Sequence, residues 1–528
     1  MKILKFTIKN YKVFEDTFEV KFTDEHITIL LGINNVGKST FLEALDMFLK
    51  SIPPKEEDFN KDKINTQENF EFEMEALNND NECVVLKTTY NNKGKQPKYY
   101  IDGTAKSKNV FNEYLQEKMT IPFYVSPDTK AEDNEKNIQT LFQETAKQLV
   151  EDDTTKKGNF EIIAKNIDKL LDEANKVIQP SIDELRGNVK NDLNRIFGEE
   201  LGNLDIKIST DRFNLNDYAK LISSEMQFVK GTNEYKLSTQ GTGVRRASFI
   251  SLLQNAMKEE KLIFKNNHLL LIDEPEVFLH PMAVKELSNI LYDIAGEKLQ
   301  IIISTHSPIF VDLYKGLNTS LRILKIDSNV IELFSSSEQD FSLDEIENIK
   351  MLTLTNSYFN EFFFAKRILI VEGDSEYIIF NECIKNYLLH EGKGKLPTHI
   401  INAKGKWTIP TIQKILNQFQ AKYYIYHDLD LDKVSDENNL EQANRQIKLL
   451  AEKNPYSRVI ANKQTLEVTL YGERCSNSIK TKKAIGLIEE VKKNTNDSEK
   501  REVKIVNDII KWIYDEEVLL DNEINIIK

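Results

Sequence analysis

The chain is 528 residues long, more than one hydrophobic core supports, so about two to four domains are expected. Hydrophobic residues make up 40% and charged residues 29%, and no apolar run reaches the ~20 residues of a membrane span, so a cytoplasmic protein with no membrane partner is expected. The net charge of −14 repels nucleic acid at long range, so any DNA contact has to be local, and the scattered Cys83, Cys383 and Cys475 support neither a disulfide framework nor a zinc site.

At the N-terminus Leu4, Phe6 and Ile8 alternate with Lys5, Thr7 and Lys9, which predicts a strand and not a secretory leader. Phe18, Val20 and Phe22 repeat the alternation and predict its hairpin partner over 17–22. Ile27, Ile29, Leu30 and Leu31 then read as a buried strand, and Phe41 to Leu45 open a helical period. Between them Gly32 to Ser39 follows G-x-x-x-x-G-K-[ST] on a strand-to-helix turn, the arrangement of a phosphate-binding loop. Asn34, Asn35, Gly37, Lys38, Ser39 and Thr40 are thereby candidates for binding ATP. Lys38 reaches the terminal phosphates, and Ser39 can ligate Mg²⁺ at the positive helix N-terminus.

Residues 51–68 are polar and Pro-containing, hence a loop. Strand-like pieces around 69–75, 82–90 and 98–102, separated by Asn-rich turns, predict an antiparallel meander. From about 130 the spacing turns helical: Ile163, Ile167, Leu170, Leu171, Ala174, Val177 and Ile178 recur mostly at three- and four-residue steps. The segment 129–205 is thus expected to be a helical insertion, either a lid or a dimerisation arm. Strands resume near 204–210 and 224–237.

Three short stretches then complete an ATPase. Ser238-Thr239-Gln240-Gly241-Thr242-Gly243 is a small-residue turn opening a helix, suited to presenting N–H groups and a hydroxyl to a phosphate, or to capping that helix. His268 to Ile272 form an apolar strand that ends in Asp273 and Glu274, where Asp273 can hold the metal's water shell and Glu274 can polarise an attacking water. Ile301 to Thr305 form another buried strand that delivers His306 at its C-terminal end, a candidate γ-phosphate sensor. This combination resembles the ABC-type ATPase head of the SMC, RecF and OLD families. The resemblance covers about 1–345 and implies a composite site, with the Ser238–Gly243 stretch supplied by a second head, hence a homodimer or larger oligomer. Such heads usually carry a glutamine loop after the first meander; the sequence does not place one, and Tyr124-Val125-Ser126-Pro127 supplies no glutamine.

After a polar stretch at 334–349 a new βα pattern begins. Arg367 to Val371 form an apolar strand running into Glu372-Gly373-Asp374-Ser375-Glu376, which puts Glu372 at the strand end and Glu376 one turn along the next helix on the same side. Tyr423 to His427 form a later strand that ends in Asp428-Leu429-Asp430-Leu431-Asp432, and alternation sets Asp428, Asp430 and Asp432 on one face. Such carboxylates repel one another unless a cation sits between them, and oxygen-only ligands point to Mg²⁺ or Mn²⁺.

These clusters resemble the Toprim domain, and a head followed by Toprim resembles the OLD-family nucleases, including the nuclease subunit of Gabija defence systems and some retron effectors. That resemblance implies further residues: Glu376 and Glu467 as metal ligands, and a phosphate-facing lysine chosen among Lys480, Lys482 and Lys483, of which Lys482 is favoured. Lys404-Gly405-Lys406 lies in a turn that could touch a DNA phosphate, with a plain surface loop as the default reading.

The expected fold is therefore α/β: an ABC-type head over 1–128 and 206–345, interrupted by the helical insertion, followed by a Rossmann-like Toprim domain over 360–528. The expected function is an ATP-regulated, metal-dependent DNA endonuclease of anti-phage defence, acting with a partner protein or an RNA or DNA element of its system. A RecF- or SMC-like DNA clamp with a non-catalytic Toprim domain, and an RNA-directed Toprim enzyme, are the alternatives.

Overall fold

In the computed structural model, residues 1–15, 17–22, 26–60, 69–91, 97–119, 122–127, 180, 183–196, 204–210, 224–230, 233–258, 268–311, 313, 320–325, 331–335, 341–355, 359–390, 392, 394–430, 437–493 and 500–528 are described. The chain packs as two units, one made of residues 1–310 with 323–333 and the other of 311–322 with 334–528.

In the first unit the alternating N-terminal segments build an antiparallel sheet. Its six strands run in the order Phe18–Lys21, Lys2–Lys9, Phe70–Leu77, Cys83–Tyr90, Lys98–Ile101 and Thr104–Lys106. One face buries Phe6, Ile8, Phe72 and Met74, while Lys5 and Lys87 pair across the other with Glu19, Glu75, Glu71 and Glu73. The helix Lys38–Leu49 lays Phe41 and Phe48 on the apolar face, with ring centroids 5.7 and 5.8 Å from Phe6. Each aromatic buried in this way contributes roughly 1.5–3 kcal/mol.

A second six-stranded sheet runs in the order Ile331–Ser335, Ser320–Lys325, Ile27–Leu31, Leu299–Ser304, His268–Asp273 and Phe123–Val125. The strands from Ile27–Leu31 to Phe123–Val125 are parallel, in a register that sets Asp273 beside Ser304. Buried on both faces, they need continuous apolar runs, which is what the sequence supplies. Leu204–Thr210, Ser224–Lys230 and Asn233–Lys236 form a separate antiparallel sheet. Most of the expected insertion at 129–205 lies outside the described residues. Within it, residues 183–196 are helical, with Leu185, Val189, Leu193 and Ile196 buried at three- and four-residue spacing. Asp192 on this helix accepts hydrogen bonds from Ser251 (3.0 Å) and Asn255 (3.3 Å) of the helix Thr242–Lys258.

The second unit holds a five-stranded sheet, in the order His399–Asn402, Ile368–Val371, Tyr423–Asp428, Arg458–Asn462 and Ile524–Ile526. All are parallel except the last. From the first strand in sequence, Ile368–Val371, the chain crosses to one side and then returns to the other, so the topological switch point falls between Ile368–Val371 and Tyr423–Asp428. In open α/β sheets ligands bind outside the strand C-termini at that point. The helix Leu343–Thr355, which the sequence reading divides between head and linker, packs in this unit against the helix Ile409–Gln418, with Glu345 2.6 Å from Lys414.

Candidate active sites

The phosphate loop follows the strand Ile27–Leu31, and the helix beginning at Lys38 turns its free N–H groups toward the loop. Lys38 is 4% exposed, and its ammonium donates to the carbonyls of Gly32 (3.0 Å) and Ile33 (3.1 Å) and lies 2.9 Å from His306 Nε2. An ammonium only donates, so Nε2 accepts and His306 is neutral. Burial, reinforced by the Lys38 charge, lowers the imidazole to about 4. Burial also lowers Lys38 to about 8, against the pull of Glu274, Asp273 and Glu276.

Ser39 Oγ donates to Asp273 Oδ1 at 2.9 Å, and Ser304 Oγ donates to the same oxygen. Burial raises the Asp273 carboxyl, partly offset by these two hydroxyls. The strand-end carboxylate, the loop serine and the histidine strand therefore converge on one point.

Glu274 sits in the left-handed region at φ 47, an uncommon place for a non-glycine residue. Its N–H donates to Ser304 O (2.8 Å) and its carbonyl accepts from the buried Arg246 (3.2 Å), which hold the strained turn in place. Its carboxylate lies 3.7 Å from His306 Nε2. Glu276, which sequence reasoning passed over, accepts from Thr305 Oγ1 (2.8 Å) and from the His306 N–H (2.7 Å), so it positions the histidine. Its spacing from Glu274 was the available signal.

Of the Ser238–Gly243 stretch, Gly241 stands in open space. A Cβ on Gly243 would lie 2.7 Å from the Phe278 carbonyl. Gly243 thus has a role inside its own subunit, letting a helix N-terminus approach the turn after Glu274. Packing within its own subunit therefore accounts for Gly243, whereas nothing within 4 Å accounts for Gly241.

In the second unit Glu372 follows the strand Ile368–Val371, and Asp428 ends the neighbouring strand, so both stand at the switch point. The Asp428 N–H donates to Glu372 Oε2 at 3.2 Å. Glu376, 7% exposed, comes up from the helix Asp374–His390, and Glu467, 6% exposed, from the helix Leu466–Tyr471. Burial first, then Glu372 and Glu467, raises the Glu376 carboxyl to about 7. Asp428 is raised well above its ordinary value by burial and by Glu376 and Glu372, although Asn462 Nδ2 donates to it at 2.7 Å.

Two sequence expectations are corrected here. Lys482 is exposed; two residues along a helix is about 200° of turn. Lys480 is instead the lysine at the carboxylates, 2.8 Å from Glu467 Oε1. Burial works against its charge, yet Glu467, Glu376 and Asp428 outweigh that and raise it. Likewise the strand ends at Asp428, and Asp430 turns into the left-handed region at φ 55, so the alternation that would align Asp428 with Asp430 stops. The Asp430 carboxylate lies 2.7 Å from Lys406 Nζ, with both side chains under 5% exposed, so Lys406 belongs to no surface loop. Asp432 lies outside the described residues.

The donor chemistry at this edge suits a hard divalent cation: oxygen ligands only, buried at Glu376 and Glu467, half-buried at Glu372 and Asp428, and mutually repelling. Among the described residues no three His, Cys, Asp or Glu groups are already gathered to enclose an ion.

A phosphate loop facing an acidic strand end in one unit, and carboxylates at the switch point of a parallel sheet in the other, define an ABC-type ATPase head joined to a TOPRIM domain. A family profile for an AAA domain of the AbiEii-toxin, type IV toxin–antitoxin kind matches residues 27–312, and the OLD-like TOPRIM profile matches residues 363–430. The OLD nuclease of Thermus scotoductus is 24% identical over 482 residues, 85% of this chain and 86% of that protein. The endonuclease GajA of Bacillus cereus is 26% identical over 432 residues, 73% of this chain and 68% of that protein. Among solved structures, an Smc head domain from Pyrococcus furiosus is 14% identical, covering 66% of this chain and 99% of that one, with a TM-score of 0.46. The chain belongs to this AAA-domain family and, through its TOPRIM domain, is an ATPase and nuclease of the OLD family. Among the described residues no helix is long and apolar enough to cross a membrane.

Proposed function

We propose that the chain is an ATP-regulated, divalent-metal-dependent DNA endonuclease of anti-phage defence, working as a dimer or larger. The observation that carries this reading is the group Glu372, Glu376, Asp428 and Glu467 around the switch point, with Lys480 as the cation among them. Those carboxylates would hold the metal, which when bound supplies an activated water and stabilises the leaving oxygen. Asp428 is oriented by Asn462, and Lys480 carries the positive charge that meets a scissile phosphate. Asp430 is assigned to Lys406 and not to the metal.

In the head, Lys38 exchanges the Gly32 and Ile33 carbonyls for the terminal phosphates of ATP, and Asn34, Asn35, Gly37 and Thr40 complete the loop. Ser39 and Asp273 would hold Mg²⁺, and Glu274 takes the proton of the attacking water. Once Lys38 has moved from Nε2 to the phosphates and the ring has taken its Nε2–H tautomer, neutral His306 donates toward the γ-phosphate. Ser238, Gly241 and Gly243 are assigned to the nucleotide of a facing head, alongside the packing role of Gly243.

The test is supercoiled plasmid incubated with Mg²⁺ or Mn²⁺, with and without ATP. Open-circular product is expected from the wild type and none from Glu372→Gln. Metal-independent product, or DNA held without cleavage, overturns the reading, the latter in favour of the clamp.

A further inference from the structure

The loop that carries Lys406 ends in an exposed tryptophan beside the carboxylate edge. Its backbone is tied down at each step. Ala403 N–H donates to Val371 O (2.9 Å), Gly405 N–H to Glu372 O (2.9 Å), and Lys404 N–H to Asn402 Oδ1 (2.9 Å). Thr408 Oγ1 donates to Gly405 O at 2.7 Å and also to Ala403 O. Gly405, at φ 131 and ψ 154, holds a conformation open in practice only to glycine. The Lys406–Asp430 pair then locks the loop onto the end of the Asp428 strand. Lys406 and Thr408 are buried at 3% and 8% exposure, yet Trp407 between them is 51% exposed.

A loop held this firmly presents its indole deliberately: the position sits one residue from the tie to Asp430 and two from the tie to Glu372. The chain's net charge of −14 removes bulk electrostatic attraction as the way DNA is gripped. Stacking remains, since every base has a π-face and stacking needs no positive field.

We propose that Trp407 is a stacking platform for an unpaired DNA base next to the TOPRIM carboxylates, with Lys406 and Asp430 as positioning residues that fix the loop. The inference rests on the nuclease reading of that edge. Only an unpaired base offers its face to the indole, which favours substrates with melted or single-stranded segments.

The chain has two tryptophans, and Trp512 is 6% exposed, so emission changes on adding DNA report on Trp407. Wild-type protein in chelator is titrated with oligodeoxythymidylate, following emission and, with a labelled strand, anisotropy. Quenching that saturates with binding is expected. Trp407→Phe should bind without the quench, and Trp407→Ala should bind about tenfold more weakly at an unchanged melting temperature. Lys406→Met with Asp430→Leu, which replaces both buried charges, should fold yet lose the quench.

Binding without quenching, or Trp407→Ala binding within about twofold of wild type, overturns the proposal. Divalent metal and plasmid are then added to the same samples. Nicking without quenching leaves the nuclease reading standing and sinks this one; quenching and weakened Trp407→Ala binding without nicking does the reverse.

Discussion

Glu376 is the residue whose surroundings most directly set a solution behaviour. Its carboxyl moves from 4.5 to about 7 on folding, through burial and then the neighbouring Glu372 and Glu467. Between those values the folded chain holds a proton that the unfolded chain has released, so stability falls as pH rises through that window. In chelator, the melting temperature is expected to drop between about pH 5 and 7.5, and Glu376→Gln should flatten that drop by several degrees. Adding Mg²⁺ at pH 7.5 should raise the wild type more than the variant. A wild-type slope unchanged by Glu376→Gln, measured by differential scanning fluorimetry, would remove Glu376 from the repelling cluster. Proximity in sequence made Glu372 and Glu376 legible as a pair. That Lys480 is the one of the three candidate lysines that reaches Glu467, and that Asn462 donates to Asp428, was not legible, because each of those pairs joins different elements of the fold.

At the scale of elements, the turn after Glu274 and the helix N-terminus at Gly243 make a matched contact. The two glycines of this stretch separate two roles. Gly243→Ala places a Cβ 2.7 Å from the Phe278 backbone, which cannot swing aside, and should cost about 1–3 kcal/mol in chemical denaturation. Gly241→Ala meets nothing within 4 Å and should leave stability unchanged. If Gly241→Ala nonetheless abolishes ATP hydrolysis, the stretch acts on a facing nucleotide; full activity in that variant would count against the composite site.

For the whole molecule, the two units have separate sheets and separate catalytic groups. Glu372→Ala or Asp428→Ala should eliminate plasmid nicking while phosphate release from ATP stays within a few-fold of wild type. Lys38→Ala should lower ATP hydrolysis by roughly a hundredfold or more, since the terminal phosphates lose their main charged contact. Loss of ATPase activity in both TOPRIM variants would mean that the units do not work as separate sites.

The sequence by itself determined what is local. The period-two alternation of Leu4, Phe6 and Ile8 specified a strand, the glycine and lysine spacing of Gly32 to Ser39 specified a phosphate loop, and the apolar runs ending in Asp273 and Glu372 specified buried strands with acids at their ends. Each of these depends on spacing along one stretch of chain, where backbone geometry alone decides which groups face together. Only the tertiary structure decided which side chains neutralise which. Asp430 belongs to Lys406 because the chain leaves the strand at Asp428. Lys480 and not Lys482 meets Glu467 because one helix face, about half a turn wide, is all that the packing presents. Charge pairing in a buried site is set by distances of a few ångströms between remote elements, and no periodicity along the chain encodes those distances.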